Sequence, residues 1–425
     1  MFDRNYRQRL DADLARWEAD GVLAPASAAQ IRALLPPPAA GINIPVVVAI
    51  VGGLLIAAAF LAFVAAHWIE ITRPLRFAIL AAGIVVANGL GAWFARAARS
   101  VLADLCAGVG AIIFGAGIAL VGQMYHLGGD FAGGMMLWSA GALVTAALTG
   151  SRGALAVALA AGCIWSGMRA WDAIEILHVP FLGLWLAAAA LAWVWNSRVA
   201  AHLVALASLP WWISTAIAAA SQPGPSVEPF FILAAGAALL SGGGLALAAA
   251  PSQRALCLGN VFATYGAFSL AAVAALDVIT ASDPLFGGHG AAGQPLWAIV
   301  CGLAGAALAV VAGAITRRPG AIFAAGAVAL VLVTALGWTT SRTGEPWLVY
   351  ALALGAMLCL VVSGMLDDSR PRIVAGWLGI AGVIAGITWA VKGSLLRRSA
   401  FLAAAGIATV VLATLLNRLL PRTDR

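Results

Sequence analysis

Few side chains in this sequence can do chemistry, and the densest group of them falls in one short stretch: Gln123, Tyr125, His126 and Asp130. Gln123 and His126 stand three residues apart and share a face if the helix that precedes them runs that far. Gly128 and Gly129 then break the helix and let Asp130 fold back. Such a set suits a polar pocket for a lipid headgroup, a sugar or an ion, and His67 and Glu70 belong to the same end of the chain's topology. The bland alternative is a polar cap, with tyrosine at headgroup level and the amide and imidazole satisfying helix-end carbonyls. Lys392, Arg397 and Arg398 form a second group, suited to anionic headgroups or to pairing with the acids of that end. Asn88, Asp104, Asn260 and Thr264 lie deepest in apolar runs. Hydrogen bonds between helices explain them most simply, and a substrate or proton path is the sharper reading. Asp104 lies close to a helix start, within reach of Arg96, Arg99 or water.

Other chemistries find no support. His67, His126, His178 and His289 show neither HxH nor HxxxH spacing, so no metal site is expected, even with Glu70, Asp130, Asp172 and Glu175 nearby. The sequence has no phosphate-binding loop, HExxH or GxSxG, so no catalytic residue, no cofactor and no enzymatic activity are expected. Cys106, Cys163, Cys257, Cys301 and Cys359 all lie in apolar runs and form no CxxC pair. They read as buried packing residues.

The elements that must position these groups are membrane helices. Of 425 residues, 63% are hydrophobic and 10% charged, with a mean hydropathy of +0.99. A soluble domain is nearer a quarter charged, so the apolar residues must face lipid as well as each other. A net charge of +7 does not point to nucleic acid, because the basic residues are spread thinly between apolar runs. A bilayer core needs about 20 helical residues per crossing. On that basis the chain is an all-α polytopic bundle of about fourteen spans: 45–66, 75–95, 101–125, 133–149, 153–168, 178–195, 199–220, 229–250, 255–276, 295–315, 320–338, 346–366, 372–391 and 399–420. The fourth and fifth are short enough to form a tight or re-entrant hairpin, which would leave twelve or thirteen crossings.

Residues 1–38 read as a separate amphipathic helical hairpin, 39–44 as a linker, 45–420 as the membrane domain and 421–425 as a tail. Leu10, Leu14 and Trp17 make one apolar stripe, Gly21 can end that helix, and Ser27 with Gln30 suggests a capping box for the next. The hairpin has too little core to fold alone, so it is expected to dock, self-associate or hold a protein partner. The first apolar run begins only at Pro45, behind a segment too long and acidic for a secretory leader. With the N-terminus inside, seventeen of the 24 lysines and arginines fall on the inner side, which favours both termini in the cytoplasm. Three of the exceptions are Lys392, Arg397 and Arg398. Membrane lipids are the expected surroundings, and nucleic acid is not an expected partner.

A set of residues also resembles a known family. The hairpin carries Trp17, Gly21, Val22, Leu23, Ser27 and Ile31. The first span ends in Ala66, His67 and Trp68. The third runs through Phe114, Gly115, Gly117, Gly122, Gln123, Tyr125, His126, Gly128, Gly129 and Asp130, and Trp138 follows. Together these resemble the bacterial membrane proteins grouped as domain-of-unknown-function family 2157, over roughly residues 10–150. One departure is His67, where the family usually has asparagine before the tryptophan. The resemblance implies a bacterial inner-membrane protein and supplies no catalytic residue. Three functions stay open: a structural or regulatory envelope component, slightly favoured because few charges lie at mid-bilayer; a transporter or flippase of a small or lipid-linked substrate; and a membrane-embedded transferase.

Overall fold

The computed structural model describes residues 4–34, 44–66, 71–124, 130–172, 176–222, 227–281, 294–336 and 347–390, together with Gly406 and Thr414. Among the described residues there are fifteen α-helices and no strand. Contacts divide the chain into two compact units, Met1–Phe63 and Val64–Arg425.

The first unit holds α1 (Arg4–Ala19), α2 (Pro25–Leu34) and most of α3 (Ile44–Ala66). Helix α1 stops where Gly21 takes φ +69°, the left-handed conformation a helix C-terminus favours, and Val22 and Leu23 donate back to the Trp17 carbonyl. Helix α2 begins three residues earlier than a Ser27 cap would place it. Pro25 fits the first helical position, where its missing N–H costs nothing, so Ser27 sits inside the first turn. Helices α1 and α2 touch, and Leu14 and Ala28 are fully buried while Trp17 and Val22 stay exposed.

The second unit begins with α4 (Arg73–Arg96), α5 (Ser100–Met124), α6 (Phe131–Thr149), α7 (Arg152–Trp171), α8 (Val179–Val194) and α9 (Arg198–Ala220). It continues with α10 (Pro229–Ala249), α11 (Gln253–Ala281), α12 (Leu296–Thr316), α13 (Pro319–Ala335), α14 (Trp347–Leu366) and α15 (Arg370–Ala390). Ten of the described helices are long and apolar enough to cross a membrane, and shorter apolar helices cover Ile50–Phe60, Val179–Val194 and Pro319–Ala335. The two doubtful spans are full helices. α6 and α7 have 19 and 20 residues, close to the ~30 Å of a hydrocarbon core at ~1.5 Å per residue. The expected span 399–420 lies outside the described residues apart from Gly406 and Thr414.

One end of this unit is built from turns of two or three residues. Five of them carry a residue with positive φ: Ala98, Gly150, Asn196, Arg317 and Asp368, between 47° and 68°. Each reverses the chain at once, and Ser151 and Ser197 then cap the next helix by accepting the Ala154 and Ala200 N–H groups. Arg96, Arg99, Arg152, Arg198, Arg254, Arg317, Arg318, Arg370 and Arg372 all stand at this basic end.

The core sits around α10, which packs on α9, α11, α12 and α13. Its small residues permit backbone contact. A Cβ on Gly242 would overlap the Gly305 carbonyl of α12, and one on Gly244 would overlap the Ala263 backbone of α11. Close helix approach of this kind is what lipid solvent rewards, since burial of apolar surface brings no gain there.

Candidate functional site

The described residues among those singled out from sequence each have their own partners. Asp130 is the N-cap of α6: Oδ1 accepts the Ala132 N–H at 3.1 Å, and Oδ2 pairs with Arg169 in the last turn of α7. Both partners are accessible, so the pair adds little beyond the cap. Gln123 is exposed near the end of α5. Tyr125, His126, His67, Glu70, Lys392, Arg397 and Arg398 lie outside the described residues, so the outer pocket and the basic group have no geometry to report.

The deeper polar residues mostly serve their own helices. Asn88 Nδ2 donates to the Ile84 carbonyl at 2.9 Å and packs over Gly110. Thr264 Oγ1 donates to the Asn260 carbonyl at 2.7 Å, and Asn260 itself is exposed. A hydroxyl bonded to its own i−4 carbonyl needs no partner helix. Asp104 finds neither Arg96 nor Arg99. Its carboxylate accepts from Ser151 Oγ and from the Gly153 N–H at 2.8 Å, which fixes the start of α7 to α5. The negative charge lies at the N-terminus of α7, where the helix dipole favours it. Gly153 is required at this crossing, because a Cβ there would stand 2.8 Å from the Asp104 carbonyl oxygen.

The tightest expected motif is a packing device. Trp138 of α6 donates its indole N–H to the Ala111 carbonyl of α5 at 2.8 Å. Its ring lies against Gly115, where any Cβ would overlap it, and Gly141 accommodates the Phe114 ring in return.

Two polar sites escaped the sequence reading. The first is at the basic end. Arg372 Nη1 donates to Ser363 Oγ at 2.6 Å and Nη2 to Asp367 Oδ2 at 2.8 Å, and both charged side chains are buried. Arg372 had counted only as a topology signal, because a loop arginine and a buried one look the same in sequence. The second is at the opposite end, where α10 begins and α11 and α13 finish. Asp277 is 8% exposed, and its Oδ2 is buried with no hydrogen-bond partner. Thr334 and Glu228, the N-cap of α10, lie within electrostatic range of it, and the Thr334 hydroxyl donates to the Val331 carbonyl at 2.9 Å. Gln294, just before α12, adds an amide whose nitrogen and oxygen are both buried and unpartnered.

Asp277 opens the expected outer loop when α11 is stopped at Leu276. In the structure α11 continues to Ala281. The legible signal was helical spacing: Ala267, Leu270, Ala274, Asp277 and Val278 fall on one face, and all five are buried. Asp277 stands roughly 36 Å along α11 from Gln253 at ~1.5 Å per residue, so it belongs to the end of the bundle and is shielded by protein. Among the described residues no group of three or more His, Cys, Asp or Glu side chains could hold a metal ion.

Helices of this length and composition, packed through glycine with buried polar groups at both ends, define a multi-pass integral membrane protein. Residues 15–155 match the family model described as "Predicted membrane protein (DUF2157)". The matched segment includes the Trp138–Gly115 lock and the Asp104 and Asp130 caps, and it ends well before Asp277. No curated protein and no solved structure matches the chain.

Proposed function

We propose that the protein is a transporter or flippase of a small or lipid-linked substrate, without an enzymatic step. It would lie in a bacterial inner membrane with the basic end and both termini in the cytoplasm. Asp277 carries this reading. A carboxyl group withheld from water and lipid costs several kcal/mol, and in membrane bundles such groups mark ion and substrate paths. The argument from sequence for a scaffold rested on the scarcity of charges at mid-bilayer; Asp277 stands at the end of the bundle and adds instead a buried, incompletely paired carboxyl group. Asp277, Glu228 and Thr334 come from three helices, so a charge arriving among them acts on all three at once. The scaffold reading keeps one observation of its own: Trp17 and Val22 present apolar surface on the N-terminal helices, suited to a protein partner.

The test is a comparison of lipid and small-molecule profiles in knockout cells carrying wild type, Asp277→Asn or no gene. Asparagine keeps the shape and removes the charge. The expected result is a defined species that accumulates in the knockout, is cleared by wild type, and persists with Asp277→Asn at normal protein level. Full clearance by Asp277→Asn would remove the proposal.

A further inference from the structure

A cavity of about 520 Å³ lies among α8, α9, α10, α11 and α12. Its long wall is α10. Leu239, Leu240, Gly243, Ala246, Leu247 and Ala250 line it at spacings of one, three and four, one helix face over three turns. That makes an elongated space of roughly 16 Å at ~1.5 Å per residue. It runs from mid-bundle, beside Trp211 and Trp212, to Ala250 at the basic end.

The lining offers water almost nothing. Ser208 Oγ already donates to the Ala205 carbonyl at 2.6 Å, and Trp185 Nε1 to the Val204 carbonyl at 2.9 Å. The remaining polar atoms of the lining are few, the Trp211 and Trp212 indole N–H groups among them, against the two to four polar contacts that a buried water needs. A space this large, this apolar and at membrane depth calls for a hydrocarbon occupant. At the end of the bundle where α10 stops, Arg198 is the first residue of α9 and Arg254 the second of α11; neither lines the cavity itself. These suit an anionic head at the mouth.

We propose that the cavity holds one hydrocarbon chain of an anionic, phosphate-headed lipid, with the tail against Trp211 and Trp212 and the phosphate at the Arg198–Arg254 end. The proposal does not depend on the transport reading, since a scaffold could hold the same chain.

Gly243 provides a clean probe. A Cβ there would meet nothing within 4 Å, and Gly243 lines the cavity, so Gly243→Leu extends a side chain into it. Gly183 on α8 is equally open but faces outward, which makes Gly183→Leu the matched control. Purified protein would be exposed to mixed micelles of phosphatidylglycerol, phosphatidylcholine and a polyprenyl phosphate, and the retained lipid read by native mass spectrometry. Wild type and Gly183→Leu should each keep one phosphate-headed anionic lipid, and Gly243→Leu should lose occupancy by roughly tenfold. Retention of phosphatidylglycerol or of polyprenyl phosphate decides which lipid supplies the chain. Equal retention of phosphatidylcholine, unchanged retention in Gly243→Leu, or retention of detergent alone would each overturn the proposal. Asp277→Asn should bind lipid as wild type does, which separates this result from the transport test. Should Gly243→Leu not fold, brominated-chain phosphatidylglycerol gives a second readout. It should quench wild-type fluorescence more than that of Trp211→Phe, and equal quenching would refute the placement.

Discussion

Helices α4 to α7 and helices α10 to α15 solve the same problem in different ways. The first group is on the whole the less buried: 17% of the α4 window is buried, against 67% of the α10 window. Polar groups in the first group are satisfied by single contacts at helix starts and between neighbouring helices: the Asp130 cap, the Asp104 bonds to Ser151 and Gly153, and the Trp138 indole bond. In the second, backbones touch through glycine, and charged groups are buried between helices at both ends, Arg372 with Asp367 at one and Asp277 at the other. The family match falls on the first group. The chemistry that local hydrogen bonding leaves unexplained falls on the second. A recognisable sequence signature can therefore mark how helices are locked rather than where a protein acts.

The contrast breaks first at α10. Gly242→Leu pushes a side chain into the Gly305 backbone, which cannot yield as a side-chain tip would. It should abolish a folded peak in detergent size-exclusion, whereas Gly117→Leu on α5, with open space around it, should elute as wild type. Equal behaviour would mean that the backbone contact at Gly242 is not what holds α10 to α12.

A smaller effect is expected at the buried ion pair. Arg372→Met strands the Asp367 carboxylate and should cost about 3–5 kcal/mol. Adding Asp367→Leu should restore much of that loss, measured by denaturant unfolding in mixed micelles. A double variant no better than the single one would mean that the arginine acts through Ser363 instead. The smallest effect belongs to the first group. Asp130→Ala removes a cap and an exposed pair and should cost about 1 kcal/mol in the same assay, with Asp130→Ser recovering most of it. A loss as large as that of Arg372→Met would show that Asp130 does more than cap.

Spans were legible because apolar runs and the punctuation between them are local properties. Pro74, Pro180, Pro229 and Pro319 each fall at a helix start, and arginines stand in or beside the short turns at the basic end. Burial was not legible, because lipid and protein interior select the same residues. Asp277 and Arg372 therefore looked like loop charges, although helical spacing already placed Asp277 on a buried stripe. Asp104 was recognised as special, but its partner lies 47 residues away in sequence, at Ser151, and nothing local specifies it. The cavity was equally invisible: its lining residues resemble those of any membrane helix.

The backbone contacts of α10 also bear on how the chain is made. Its closest partners, α11 and α12, are the next two helices to be synthesised. Contacts local in sequence close early and cheaply, because little chain must be ordered first. The central trio can therefore assemble beside the translocon before α13 has emerged, and later helices join a surface already formed. A block in biogenesis caused by a bulky residue at Gly242 should accordingly appear in the nascent chain as soon as α12 is complete.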